Sequence, residues 1–298
     1  MNFSPLRYPG GKTRLTPIVE ILIEKLKFRD VMYVEPFAGG SGVALSLLIN
    51  GVAKKIVIND LDVAIYSFWR SILTETDVFV EKIKETPITI EEWKKQRKIY
   101  DENKNVYSFE LGFATFFLNR SNRSGIIKAG PIGGYEQNGK YKIDARFNKD
   151  KLIEKIKKIA QYKDQIQVEN LEIRQFLESN RASWTNNTFI YFDPPYVNKA
   201  DGLYKNFLSK EDHGEIAEAI KLQNVYWMLT YDRDELIANL YADKPHRVIV
   251  LNHSAANKGR REEYLFLSKD CFPTEEELQE KKIKVKLMKG EDNYGNCE

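Results

Sequence analysis

Cysteine is nearly absent from this chain. Only Cys271 and Cys297 occur in 298 residues, and both fall near the C-terminus without metal-ligand spacing. That leaves no basis for a disulfide framework or a thiolate metal centre. Histidine is equally sparse. His213, His246 and His253 are scattered, and their spacing supports neither a zinc site nor a Ser-His-Asp arrangement. No metal is expected. Long apolar runs are missing too: none approaches the roughly 18 residues of a membrane span, and mean hydropathy is −0.49. The opening segment, Met1-Asn2-Phe3-Ser4-Pro5-Leu6-Arg7, has no signal-peptide core. Together these absences point to a cytoplasmic protein. A strong charge of one sign is also lacking, since 46 Lys and Arg face 43 Asp and Glu for a net charge of +3. Such a balance is weak ground for a polyanion partner. No heptad pattern marks an oligomer interface, so a monomer is the expectation.

What is present is ordinary in bulk and unusual in detail. A hydrophobic content of 42% with 30% charged residues fits a globular chain of one large or two smaller domains. Positive charge gathers between Asn138 and Lys158, where eight Lys or Arg face three acids. The apolar run Thr188-Phe189-Ile190-Tyr191-Phe192 reads as a buried strand. It delivers Asp193-Pro194-Pro195-Tyr196 at its carboxyl end, the place where ligands sit in open α/β sheets. The set suits an amino group on a flat ring. Asp193 accepts one N–H, the Pro194 carbonyl accepts the other, and Tyr196 stacks on the ring. Two prolines limit the backbone freedom that would blur this arrangement. For the tetrapeptide alone, a strand followed by a plain Pro-Pro turn is the competing reading.

The first half carries a second candidate segment. Met32–Phe37 reads as a strand, Ala38-Gly39-Gly40-Ser41-Gly42 as a tight turn, Val43–Asn50 as an apolar helix and Lys55–Asp60 as the next strand. This is a βαβ unit with a glycine-rich first turn and an acid at the tip of its second strand. Asp60 lies 21 residues beyond Gly39, close to the roughly 20 of dinucleotide folds. The turn is nevertheless not G-x-G-x-x-G, and Glu35 with Phe37 suits a different ligand. Glu35 has two readings: an acceptor for an amino acid's ammonium group, or a capping or salt-bridging carboxylate. Upstream, Arg7-Tyr8-Pro9-Gly10-Gly11-Lys12 makes another close-approach loop. There Lys12 can meet a carboxylate, and Tyr8 can lie against a cation or a ring.

Tyr8–Lys12, Glu35–Gly42 and Asp193–Tyr196, in this order, resemble the Dam-like (D12 class) DNA adenine-N6 methyltransferases. Ile58-Asn59-Asp60, Leu118-Asn119-Arg120-Ser121, Asn170–Leu177, Leu229–Asp232 and Glu263-Tyr264-Leu265 extend the resemblance from about residue 4 to about residue 268. One position departs: the family usually has Asp where this chain has Glu172. The resemblance implies an α/β fold, a Rossmann-like S-adenosylmethionine-dependent methyltransferase sheet with a mainly helical DNA-recognition insert. It further implies that Asp60 holds the ribose of S-adenosyl-L-methionine and Glu172 its adenine. Tyr8, Lys12, Glu35 and the Phe37–Gly42 loop with Gly39 and Gly40 surround the methionine end, and Asp193 borders it. The target adenine must leave the duplex to reach such a pocket. There Asp193, Pro194 and Tyr196 are the expected catalytic residues. Double-stranded DNA is the implied partner; a restriction–modification system with a cognate restriction endonuclease, a phage role and a stand-alone regulatory role all stay open.

Residues 1–61 and 166–270 are read as the catalytic domain, 62–165 as the target-recognition insert and 271–298 as a C-terminal extension. Within the insert, Ala64–Leu73, Thr89–Asn103 and Ser108–Leu118 have helical character, and Leu152–Ala160 is an amphipathic helix. The stretch Asn119–Tyr141 reads as a long polar loop, with Gly130–Tyr135 as a hairpin tip entering a groove. Arg120, Arg123 and Lys128 there, and Tyr204 beyond the catalytic turn, are the candidate DNA contacts. Arg120 also suits a structural role, and Arg123 and Lys128 suit a solvated loop equally well. Lys205 and the basic stretch Asn257–Arg261 are further candidates. Three other readings compete: a methyltransferase acting on another amino group, a DNA-binding protein without catalysis, and an NAD-type oxidoreductase. The missing dinucleotide glycine pattern weighs against the last.

Overall fold

The computed structural model describes residues 2–8, 10–103, 105–197, 208–252, 260–283 and 285–289. Tyr204, Lys205 and residues 257–259 lie outside them. The strands are β1 (Val31–Glu35), β2 (Ala53–Asn59), β3 (Ile166–Glu169), β4 (Thr188–Phe192), β5 (Tyr226–Asp232), β6 (His246–Asn252), β7 (Arg260–Leu267) and β8 (Lys286–Lys289). They form one sheet in the order β3-β2-β1-β4-β5-β7-β6-β8. The first five are parallel, and β7, β6 and β8 continue the sheet by antiparallel pairing. The order 3-2-1-4-5 is that of a Rossmann-like sheet, whose winding reverses between β1 and β4.

The helices are α1 (Thr16–Lys25), α2 (Gly42–Ile49), α3 (Val63–Thr74), α4 (Thr76–Glu85), α5 (Ile90–Asn103), α6 (Phe109–Ser121), α7 (Lys149–Ala160), α8 (Ile173–Asn180), α9 (Lys210–Lys221), α10 (Glu235–Leu240) and α11 (Glu275–Glu280). None is long and apolar enough to cross a membrane, among the described residues. The sheet separates two cores. Tyr33, Ile56, Ile58, Phe189, Tyr191 and Met228 face α1 to α7. Val34, Val57, Ile190, Phe192 and Trp227 face α8 to α10. Both faces are covered, so the central strands read as continuous apolar runs rather than as alternations.

The helices between β2 and β3 share the first core with the sheet. Phe79 on α4 lies against the rings of Phe68, Phe109, Phe113 and Phe116. Residues Leu111–Asn119 of α6 are buried all round, which erases any amphipathic signature over that stretch.

Several expectations change. Helix α6 runs through Ser121, so Asn119 and Arg120 are helical and the loop begins at Asn122. The Gly130–Tyr135 tract is a series of turns with one isolated bridge, Asn122 to Pro131, rather than a hairpin. Four glycines and a proline in residues 130–139 explain the difference, because they favour turns over a strand ladder. Glu172 lies past the end of β3 at Glu169, and its side chain caps α8 by accepting from the Arg174 N–H. Arg260 and Arg261 open β7 instead of lying in a loop. The C-terminal stretch supplies α11 and then β8, which pairs with β6.

Phe79→Ala should lower stability by about 3–5 kcal/mol through the cavity it opens. A urea unfolding midpoint equal to wild type would show that the aromatic cluster does not support the fold.

Candidate active site

The carboxyl ends of β1 and β4 are neighbours at the reversal point, and each delivers an acid there. Glu35 is the last residue of β1, and Asp193 directly follows β4. The loop between Glu35 and α2 is held from three sides. The Asp60 carboxylate accepts from the Gly39 N–H at 2.8 Å and from the Asp62 N–H at 2.9 Å. The Trp69 indole of α3 donates to the Gly39 carbonyl at 3.0 Å. The Tyr8 ring covers Gly39 and Gly40 so closely that a Cβ on Gly39 would sit 2.7 Å from a ring carbon. Gly39 also has φ of +45°, a region that favours glycine. Asn59, buried at the end of β2, donates to the carbonyls of Pro36 and Leu171 and accepts from the Leu171 N–H. It thereby ties the glycine loop to the segment before Glu172.

Asp193 is surrounded by donors. Lys12 Nζ lies 2.9 and 3.0 Å from its two oxygens. The hydroxyls of Thr230 and Tyr196 donate to Oδ1 at 3.0 and 3.2 Å. Thr230 is completely buried on β5 and shares a 2.7 Å hydrogen bond with Tyr191. Burial, then the charges of Asp193 and Glu263, push the Tyr196 phenol well above its ordinary range, so it remains a donor. Glu35 is fully buried and accepts from the Ala44 N–H at 3.0 Å and the Tyr33 hydroxyl at 3.1 Å. Burial outweighs these hydrogen bonds and pushes its carboxyl up to about 8.

These groups border a cavity of about 540 Å³. It brings together Tyr8, Lys12, Glu35, Phe37, Gly39, Gly40, Asp60, Glu172, Asp193 and, at its rim, Lys128. Pro194, Tyr196, Arg120 and Arg123 do not line it. Tyr196 is 6% exposed, with Lys12 Nζ 5.0 Å from its ring centre and the Tyr231 ring beside it. Among the described residues, seven Asp or Glu line the cavity against three Lys or Arg. A cavity of this size suits a nucleoside-sized ligand, and its excess of acids suits a cationic one.

The D12 class N6 adenine-specific DNA methyltransferase family matches residues 8–257. The chain belongs to this family. It is 27% identical over 205 residues to the type II methyltransferase M.MjaIII of Methanocaldococcus jannaschii, covering 64% of this chain and 68% of that protein. It is 28% identical over 208 residues to the modification methylase StsI of Streptococcus sanguinis, covering 65% of this chain but only 28% of that protein. The solved rRNA methyltransferase aviRa of Streptomyces viridochromogenes superposes with a TM-score of 0.37 at 11% identity, covering 88% of this chain and 86% of that one. Family membership makes the protein an adenine-specific DNA methyltransferase, with DNA as substrate and a methyl donor as the second reactant.

In the methyltransferase a basic surface adjoins the cavity. The Arg120 side chain donates to the Arg146 carbonyl, and burial followed by the charges of Arg7 and Arg146 lowers its guanidinium to about 10. Arg7 donates to the Asn122 carbonyl at 3.2 Å, and Lys155 to the Ser4 carbonyl at 3.0 Å. Arg123 and Lys128 are exposed on the loop after α6. That loop is braced by Arg97, which donates to the Ile127 and Ala129 carbonyls, and by Trp93, which donates to Asn122 Oδ1 at 2.6 Å. Asn119, 1% exposed, accepts from the Arg7 N–H and donates to the Arg7 and Gly125 carbonyls. Asn59, Asn119 and Thr230 have structural parts in the site that motif reading missed. All three fall in segments that carry the family resemblance, but their buried hydrogen bonds are visible only in the structure.

Glu35 binds its proton more tightly folded than unfolded. Its stabilising contribution is therefore complete below pH 4.5 and is lost as pH rises toward 8. Glu35→Gln should flatten the fall in melting temperature between pH 5 and 8 and match or exceed wild type at the upper end. An unchanged slope would remove Glu35 as its source.

Proposed function

We propose that the methyltransferase takes its methyl group from S-adenosyl-L-methionine and places it on N6 of an adenine flipped out of double-stranded DNA. The observation that carries this reading is an amply hydrogen-bonded Asp193 on the wall of an acid-rich cavity of nucleoside size. When bound, S-adenosylmethionine supplies a methyl group on a positively charged sulfur. The residues present fit it. Asp60 and Glu172 are carboxylates lining the cavity, of the acceptor type that suits ribose hydroxyls and an adenine amino group respectively. Tyr8, Lys12, Phe37, Gly39 and Gly40 enclose the methionine end, and Glu35 is the buried acceptor available to its ammonium group.

Asp193 and the Pro194 carbonyl accept the two N–H groups of the target amine and aim its nitrogen lone pair into the cavity. Positioning of this kind supplies much of a rate enhancement. The ionised Asp193 also stabilises positive charge that develops on the nitrogen. Tyr196 holds Asp193 from behind and would reach the flipped base as a stacking surface once its ring is uncovered. No separate nucleophile is needed. Residues 62–165 serve as the target-recognition insert on the catalytic domain of residues 1–61 and 166–270. Arg120 positions the loop from which Arg123 and Lys128 reach DNA, and Tyr204 is a further candidate DNA contact. The names of the two relatives favour a restriction–modification role beside a cognate endonuclease, and a cytoplasmic monomer is part of the same proposal.

Methyl transfer from labelled S-adenosylmethionine to unmethylated duplex DNA, followed by nucleoside analysis, tests the reading. Label should appear in N6-methyladenine, and its absence on any DNA would sink the proposal. Asp193→Ala should slow single-turnover transfer by roughly 10²–10³-fold or more while leaving cofactor affinity nearly intact. Asp60→Ala should instead weaken cofactor binding by roughly tenfold, about 1.4 kcal/mol, and unchanged affinity in calorimetry would remove Asp60 from the ribose role. Arg123→Ala and Lys128→Ala should each reduce the salt dependence of DNA binding by about one unit of slope. A wild-type slope would return these residues to the solvated loop.

A further inference from the structure

Glu263 is a buried acid that the chemistry above does not use. It lies on β7, opposite Asp232 of β5, with 1% of its surface exposed. A buried carboxylate needs a counter-charge. The Lys12 ammonium group stands 3.7 Å from Glu263 Oε2 and 2.9 Å from Asp193 Oδ1. One cation is therefore shared unequally between two acids, and the longer contact exceeds the shorter by only 0.8 Å.

The sharing matters because of what Asp193 must do. A lysine ammonium has three N–H donors. Here they point to the Gly10 carbonyl at 3.0 Å and to the two oxygens of Asp193. Oδ1 already accepts from Thr230 and Tyr196 as well, so Oδ2 is the oxygen left to meet an incoming amino group. While Lys12 stays on Oδ2, it competes with that group's N–H. It also sets a full positive charge against the positive charge that develops on the attacking nitrogen.

We propose that Glu263 is a positioning residue and the alternative seat for Lys12. The ammonium group keeps Gly10, swings from Asp193 toward Glu263 when the target amine arrives, and leaves the Asp193 charge to that amine. No proton moves and no bond is made; one ion pair exchanges for another. Thr230, fixed by Tyr191, keeps Asp193 from following Lys12. The proposal rests on the reading of Asp193 as acceptor for the target N–H.

Glu263→Gln, Glu263→Asp and Lys12→Met with and without Glu263→Gln test it. Melting temperature, S-adenosylmethionine affinity by calorimetry and single-turnover transfer to unmethylated duplex DNA at saturating cofactor are the three readouts. Glu263→Gln should fold, keep cofactor affinity within about threefold, and lose roughly tenfold or more in transfer rate. Glu263→Asp, which keeps the charge, should fall between it and wild type. In the Lys12→Met background, adding Glu263→Gln should change the rate little, because Glu263 then has no cation to receive. A Glu263→Gln rate within about twofold of wild type overturns the proposal, as does a loss confined to cofactor affinity or an equal loss without Lys12. If Glu263→Gln does not fold, Glu263→Asp at the wild-type rate is the overturning result. Absence of transfer by the wild-type protein would instead overturn the proposed reaction.

Discussion

The ion pair between Lys12 and Asp193 is the contact on which the rest of the site depends. It joins residues 181 positions apart and fastens the N-terminal loop over the tips of the central strands. A buried ion pair repays its desolvation only when its remaining hydrogen-bonding capacity is met. That condition holds here. The Gly10 carbonyl accepts one ammonium N–H, and the Thr230 and Tyr196 hydroxyls donate to the carboxylate. With Lys12 in place, Tyr8 lies flat on Gly39 and Gly40, and the cavity has its wall. The same need for neutralisation brings Glu263 within reach of Lys12 and gives the cation two acids to choose between.

Charge is divided between the cavity and its surroundings. Acids predominate inside, whereas Arg7, Arg120 and Lys155 lie outside the cavity lining, each feeling a neighbouring cation. Such crowding is unfavourable until an anion arrives. A cationic small ligand and a polyanion would therefore each meet a surface of opposite sign, a few side chains apart. The near-neutral total charge hides this division completely.

The helices between β2 and β3 are part of the same construction. Trp69 of α3 holds the Gly39 carbonyl, Asn119 of α6 holds Arg7, and the aromatic cluster around Phe79 is continuous with the core beneath the sheet. These helices are thus coupled through hydrogen bonds to the loops that enclose the cavity.

The parallel strands, the glycine loop and the acid at each strand tip were all legible from local pattern. Each depends on residues adjacent in the chain: an apolar run for a strand covered on both faces, glycine where the backbone turns sharply, and an acid where the strand ends. Motif order then identified the family. Pattern did less well where neighbours in space override neighbours in sequence. Helix α6 shows no amphipathic signature because it is enclosed on every side, and α4 was not expected at all. The helix-capping role of Glu172 was not legible, because it depends on where β3 stops. Nor does the sequence show that Tyr196 packs behind Asp193, or that Lys12 stands between Asp193 and Glu263. The sequence by itself determined the central strands, the glycine loop and the chemical types at the site, since these follow from short-range sterics and hydrophobic periodicity. Only the tertiary structure decided which acid holds which cation and which polar groups are spent on the backbone. Those pairings depend on distances between residues far apart in the chain and on burial, which no local pattern encodes.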